Sequence, residues 1–231
     1  MALSASDLQP VLFVVTSNAV KGATGLPTGF NLAEVTHPLE KLQAAGIRVE
    51  FASIQGGAAP LDGLEDMKDP VIAHYWADAG FRHAIGHTLR LADVEPSRYS
   101  AIFFAGGHGT MWDFPDSAAV HKAIREIDAA GGIVSAVCHG PAALVNARRS
   151  DGTLLVAGKR LAAFTNDEEE EVQSTQVMPF LLESTLKERG AMHQHAANWA
   201  DNVVVDGRLI TGQNPQSAAR LGEALRDALL A

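Results

Sequence analysis

The stretch Gly132-Ile133-Val134-Ser135-Ala136-Val137-Cys138-His139-Gly140-Pro141-Ala142-Ala143-Leu144-Val145 decides the fold. Its first half is apolar and β-branched, the signature of a buried strand. Its end, from Ala142, reads as the start of a helix. Between them stands Cys138, the only cysteine in the chain. Gly140 suits a turn in which backbones approach closely. Pro141 suits the first helical position, where its missing N–H has no partner to lose. A strand, a sharp turn and a helix start with a nucleophile at the apex resemble a nucleophile elbow, which lifts a reactive side chain over the end of a sheet.

Outward from this turn the chain alternates strands and helices. Residues 11–15 form an apolar strand run, residues 31–45 read as a helix with Leu32, Val35, Leu39 and Leu42 near one face, and residues 48–54 read as a second strand. This βαβ opening points to a parallel sheet with right-handed crossover. Residues 99–105 are a third strand running into Gly106-Gly107-His108-Gly109, and residues 117–130 a helix. Residues 55–98, broken by Gly and Pro, read as an insertion that holds one or two helices around 72–91 and shapes a pocket rim. Beyond the elbow, residues 154–164 read as short strands, 177–189 as a helix, and 192–196 and 203–205 as strands. Asp206-Gly207 is a hairpin turn before a strand at 208–211, and 217–230 is a terminal amphipathic helix. The expected fold is one α/β domain over residues 1–231, with a mostly parallel central sheet and helices on both faces.

At 231 residues and 47% hydrophobic the chain is long and apolar enough to bury a sizeable core. The formal net charge of −9 argues against nucleic acid as a partner. No apolar run reaches the length of a membrane span, and the first residues, MALSASDLQP, lack the pattern of a secretory leader. A single cysteine fits a reducing, cytoplasmic setting.

Ligands of parallel α/β sheets bind beyond the carboxyl ends of the strands, where the loops after Val15, after Ala105 and at Cys138 fall. A helix N-terminus at Cys138 would favour the thiolate. His139 can move a proton near neutral pH. The backbone N–H groups of Gly107 and His139 are candidates for an oxyanion hole, with Gly106 and His108 beside them on the substrate side. Glu34, on the first helix, can donate to a thiolate or shuttle a proton. One acid of the run Asp167 to Glu171 can orient His139 as the third member of a triad. His193-x-His195 lacks further ligands for a metal, so no metal is expected. Trp76, Trp112 and Trp199 read as core or rim.

Five blocks carry a resemblance: 28–42 (TGFNLAEVTHPLEKL), 103–115 (FFAGGHGTMWDFP), 136–144 (AVCHGPAAL), 158–172 (GKRLAAFTNDEEEEV) and 203–218 (VVVDGRLITGQNPQSA). In this order they resemble the ThiJ/PfpI superfamily, whose fold is similar to that of class I glutamine amidotransferases. GGHGTMWDFP and AVCHGPA favour the branch of glutathione-independent glyoxalases (glyoxalase III) and heat-inducible chaperones. The resemblance implies a nucleophilic Cys138 partnered by His139, Glu34 against the thiol, and oxyanion N–H groups from Gly107 and His139. It places the acid that orients His139 at Glu169, with Glu168 or Glu170 as substitutes through a one-residue shift. The late His-x-Glu pair of true amidotransferases is missing.

The implied activity is that of a lyase turning methylglyoxal, or a similar small 2-oxoaldehyde, into a 2-hydroxy acid. The thiolate adds to the aldehyde, His139 or Glu34 moves the proton from C1 to C2, and no redox cofactor is needed. The superfamily also implies a homodimer. The alternatives are a stress-related holdase or redox sensor using Cys138, and a hydrolase or deglycase using the same cysteine.

Overall fold

The structure, a computed structural model, describes residues 8–231. The stretch read for a leader lies, up to residue 7, outside them. The strands are β1 (Val11–Val15), β2 (Phe30–Asn31), β3 (Val49–Ser53), β4 (Leu61–Asp62), β5 (Leu89–Arg90), β6 (Ala101–Phe104), β7 (Ile133–Val137), β8 (Arg160–Leu161), β9 (Met192–His193), β10 (Val203–Asp206) and β11 (Leu209–Gly212). The helices are α1 (Leu32–Ala44), α2 (Pro70–Ala77), α3 (Ala79–Gly86), α4 (Thr110–Asp113), α5 (Ala118–Ala129), α6 (Asn166–Glu171), α7 (Leu182–Glu188) and α8 (Ala218–Leu230).

Seven strands make the central sheet in the order β10-β11-β7-β6-β1-β3-β5. All its pairs are parallel except β10–β11, the hairpin turning at Gly207. Both faces are covered. Leu12, Val14, Ile102, Phe104 and Val134 pack towards Val120, Ile124 and Ile127 of α5. Val11, Phe13, Val15, Phe103 and Ile133 pack towards α1 and α8. This two-sided burial explains why β1, β6 and β7 are apolar at nearly every position. The chain runs from β1 to β3 on one side and then returns to β6 on the other. The strand order therefore reverses at β1, and the crevice beyond the carboxyl ends of β1, β6 and β7 is where such a sheet opens to a ligand.

Four expectations are corrected. After the elbow the chain makes a buried 3-10 turn, Gly140–Leu144, rather than an α-helix. The helix expected over 177–189 starts only at Leu182; Pro179 disfavours helical backbone at Met178 and so keeps the helix from running through 177–178. Residues 154–164 contribute only β8, and 192–196 only β9. The insertion holds two helices, α2 and α3, as read, and adds β4, which pairs with β2 in a small separate sheet.

Candidate active site

Cys138 directly follows β7, with φ 59°, in the left-handed region. A non-glycine residue there is strained, and such strain persists only where the surroundings impose it. They do: the Cys138 N–H donates to Gly212 O at 3.0 Å, and the Phe164 N–H donates to Cys138 O at 2.9 Å. Gly140 lies so close to Phe104 that a Cβ would overlap the Phe104 carbonyl oxygen. The elbow is thus pinned to β6 and β11 and to the segment before α6.

Glu34 comes from the first turn of α1. Asn31 caps that helix and accepts the Glu34 N–H, and the strand β2 that ends at Asn31 donates to Gly106 O at 3.0 Å. In return the Gly106 N–H donates to Glu34 Oε2 at 2.7 Å. Glu34 Oε1 is buried with no hydrogen-bond partner among the described residues, and the carboxyl lies against the Cys138 thiol. Burial raises the Glu34 carboxyl to about 8, against the lowering effect of Cys138 and the Gly106 N–H. Glu34 is therefore a neutral acid at neutral pH.

His139 is buried beside the thiol, with Nδ1 at 3.3 Å from Cys138 Sγ. Its Nε2 lies 2.7 Å from Glu169 Oε2. A carboxylate on Nε2 makes that nitrogen the N–H, leaving Nδ1 as the acceptor for the thiol proton. The other oxygen, Glu169 Oε1, takes His108 Nε2 at 2.9 Å, and the two imidazole centroids stand 4.4 Å apart. Burial would raise Glu169, but His139 and His108 outweigh it and hold its carboxyl well below the usual range. His108 is lowered to about 4, by burial and then by the charge of His139. The thiol itself is pushed well up by burial, by Glu34 and by Glu168, against the Gly107 N–H that faces it. The depressed thiol expected from a helix N-terminus is not what this elbow provides: a single 3-10 turn carries little dipole, and burial beside a carboxyl outweighs it.

The N–H groups of Gly107 and His139 donate to no oxygen among the described residues. Both stand at the cavity with Cys138, and Thr110 Oγ1 ties their loops together by donating to Gly107 O and His139 O. The cavity, about 310 Å³, has a polar side of Asn31, Glu34 and Asp62 and an apolar side of Phe164, Val172, Trp199 and Pro215. Gly106 stands behind it, at Glu34. The structure thus brings Cys138, His139, Glu34, Glu169, Gly107 and His108 into one place. Glu170 instead takes Thr175.

Sequence reasoning missed Glu168 as an anchor. Its carboxylate, fully buried, accepts from Thr165 N and Oγ1, Trp199 N, Gln213 Nε2 and Asn214 Nδ2. The signal was present: Thr165-x-x-Glu168 is a capping box. It also missed Asp62, delivered by the pairing of β4 with β2. Trp199, at φ 60°, is a cavity wall, its indole N–H held by Glu171 Oε1 at 2.8 Å.

His108, His139 and Glu169 are the one cluster among the described residues with metal-like spacing. Two ligands on one tetrahedral zinc stand roughly 3.3 Å apart, whereas the 2.7 and 2.9 Å separations are those of charge-assisted hydrogen bonds. His193 is turned to Ala163 O and Glu183, its ring 6.3 Å from that of His195.

The DJ-1/PfpI family model matches residues 24–228. The chain belongs to the DJ-1/PfpI family. It is similar to Glyoxalase 3 of Candida albicans, 30% identical over 227 residues that cover 92% of this chain and 95% of that protein. Among solved structures it resembles Rapid Encystment Protein 24 kDa of Francisella tularensis, with TM-score 0.92, 38% identity and coverage of 97% and 100%. It also resembles glyoxalase III from Candida albicans, with TM-score 0.87, 29% identity and coverage of 95% and 96%. Family membership agrees with the parallel sheet and with the elbow at the end of β7.

Proposed function

We propose that the protein is a glutathione-independent glyoxalase, a lyase that converts methylglyoxal or a similar small 2-oxoaldehyde to a 2-hydroxy acid. The observation that carries this is the placing of Cys138 Sγ between the His139 Nδ1 acceptor, 3.3 Å away, and the neutral carboxyl of Glu34. A thiol whose proton is costly to lose does not rest as a thiolate. It is suited to add to an electrophilic carbonyl while handing that proton directly to His139. The Gly107 and His139 N–H groups would stabilise the oxygen charge that forms, as oxyanion holes do. Glu169 holds His139 in the tautomer that leaves Nδ1 free. The names of the relatives, glyoxalases along nearly the whole chain, support the same reading.

The chemistry is an internal oxidation and reduction: C1 of the aldehyde rises to the acid level while C2 falls to the alcohol. Water enters only to release the product from sulfur. For location, no helix among the described residues is long and apolar enough to cross a membrane; a cytosolic homodimer is the further reading that the family resemblance supports. The test is incubation with methylglyoxal in the absence of glutathione, with lactate followed by proton NMR. Lactate should form with wild type and vanish with Cys138→Ser. A wild-type protein that forms none would remove the proposal.

A further inference from the structure

Moving hydrogen from C1 to C2 needs a base that can reach carbon, and the groups beside Cys138 are largely committed. His139 has Nδ1 on the thiol and Nε2 on Glu169, with its side chain 2% exposed. Glu34 carries its proton and has one oxygen on Gly106. His108 differs from both. It lines the cavity and is the most open member of the cluster, its side chain 18% exposed against 4% for Glu169. Its Nε2 is fixed by Glu169 at 2.9 Å, so that nitrogen bears the hydrogen, and Nδ1 is left as a lone pair with no hydrogen-bond partner among the described residues.

The geometry points to His108 as the carbon base of the reaction, distinct from His139, the base of the thiol. This rests on the glyoxalase reading. The Cys138 S–H gives its proton to His139 Nδ1 as sulfur bonds to the aldehyde carbon, and His139 returns that proton to the new oxyanion, leaving a neutral hemithioacetal. His108 Nδ1 then removes the C1 hydrogen as a proton. The C–H electron pair becomes the C1–C2 double bond, and the C2 carbonyl pair moves to its oxygen, which takes the Glu34 proton. His108 next delivers its proton to C2 while the C1 hydroxyl returns one to Glu34. The result is a thioester of the 2-hydroxy acid, which water cleaves to free the thiol.

Glu169 makes this order workable. One carboxylate faces two imidazoles whose centroids are 4.4 Å apart, so it stabilises one cation at a time. While His139 is charged, its repulsion adds to burial in keeping His108 neutral. Once His139 has given its proton to the hemithioacetal, that repulsion is gone, and only burial is left to oppose the attraction of Glu169. His108 becomes a stronger base at the step that uses it.

The test is His108→Gln, which keeps a donor towards Glu169 but supplies no base, with His108→Ala as a second variant. Methylglyoxal is the probe. Both variants should lose about 100-fold or more in kcat. Alkylation of Cys138 by iodoacetamide, and its protection by methylglyoxal, should stay within about threefold of wild type, which also reports a folded site. The Cys138 hemithioacetal should accumulate in intact-protein mass spectra. Turnover by either variant within tenfold of wild type would overturn the assignment, as would a loss of thiol addition in parallel with turnover. A wild-type protein without lactate formation removes the glyoxalase reading and this assignment together. Wild-type turnover that survives in the variants removes the assignment alone.

Discussion

His139 Nε2 and Glu169 Oε2 are 2.7 Å apart, both nearly fully buried, and the remaining oxygen of Glu169 is spent on His108. The carboxylate therefore sets the tautomer of two rings at once. Glu169→Gln offers one acceptor and one donor in place of two acceptors. One imidazole must then reverse its tautomer or turn away, and if that ring is His139 its Nδ1 no longer accepts from the thiol. The expected result is a fall in kcat of about 100- to 10,000-fold with little change in KM. Steady-state lactate formation measures it, and slower alkylation of Cys138 at neutral pH should accompany it.

Glu34 predicts a dependence on pH with a definite sign. Its carboxyl in the folded protein titrates near 8, above the ordinary carboxylate value. The folded protein thus holds a proton that the unfolded chain has already lost, so this group's contribution to stability is fully present below the ordinary value, declines as pH rises towards 8, and is lost beyond it. Glu34→Gln removes that slope. Chemical denaturation at about pH 5 and about pH 9 should show the variant gaining on wild type at the higher pH. In wild type, kcat/KM should fall as pH passes 8, where Glu34 stops being a donor, and Glu34→Gln, which has no acidic proton to give, should be about 100-fold or more impaired on both sides of that pH.

Much of this was legible in the chain because burial on both faces writes long apolar runs: Val11–Val15 and Ile133–Val137 are strands as read. Cys138-His139-Gly140-Pro141 announced the elbow through residues whose backbone demands are local. What stayed hidden depends on distant partners. A run of acids does not show that Glu168 turns to Trp199, Gln213 and Asn214 while Glu169 turns to His108 and His139. Those partners are 30 or more residues away and meet successive positions of one short helix. The raised thiol was hidden for the same reason, since its causes are burial and a carboxyl from α1. Asp62 arrives on a two-residue strand, too short to show any alternation.

Gly106 and Gly107 test how tightly the site is built. A Cβ at Gly106 would press on Glu34 Oε2, Val137 O and His139 N. Gly107, at φ 101°, would drive a Cβ into Gly29 O. Gly106→Ala and Gly107→Ala should each abolish measurable lactate formation. Overpacking of this kind typically costs about 1–3 kcal/mol, which in a domain of this size lowers Tm by several degrees. Differential scanning calorimetry would show a folded but inactive protein. Activity near wild type in either variant would contradict the close packing of the 106–107 loop against Glu34 and β2.

Glu168 should matter more for stability than for chemistry. Its removal strands several buried donors, each costing about 1–3 kcal/mol when left without a partner. Glu168→Ala should therefore lose about 3 kcal/mol or more, a fall in Tm of roughly 10 °C for a domain of this size. Because Glu168 accepts the backbone N–H of Trp199 at 2.9 Å, its loss should loosen the segment that carries this residue, and the fluorescence of Trp199 should shift to longer wavelength as the indole gains water. A Trp199→Phe background assigns that signal.

Asp62 sets the charge of the cavity mouth. Its carboxylate lies on the polar wall with Asn31 and Glu34 and is exposed to solvent, and Glu169 adds a second negative charge deeper in. A 2-oxoaldehyde is neutral and feels no repulsion there, whereas the 2-hydroxy acid leaves as an anion. The same field that spares the substrate should hasten the product out and discriminate against anionic ligands. Asp62→Asn should therefore strengthen product inhibition by lactate several-fold and leave the KM for methylglyoxal nearly unchanged. Alkylation of Cys138 separates charge from shape: the rate with anionic iodoacetate should rise relative to that with neutral iodoacetamide, more at low salt than at high salt, because an exposed charge is screened. An unchanged ratio of the two rates would show that Asp62 does not govern which charges reach the thiol.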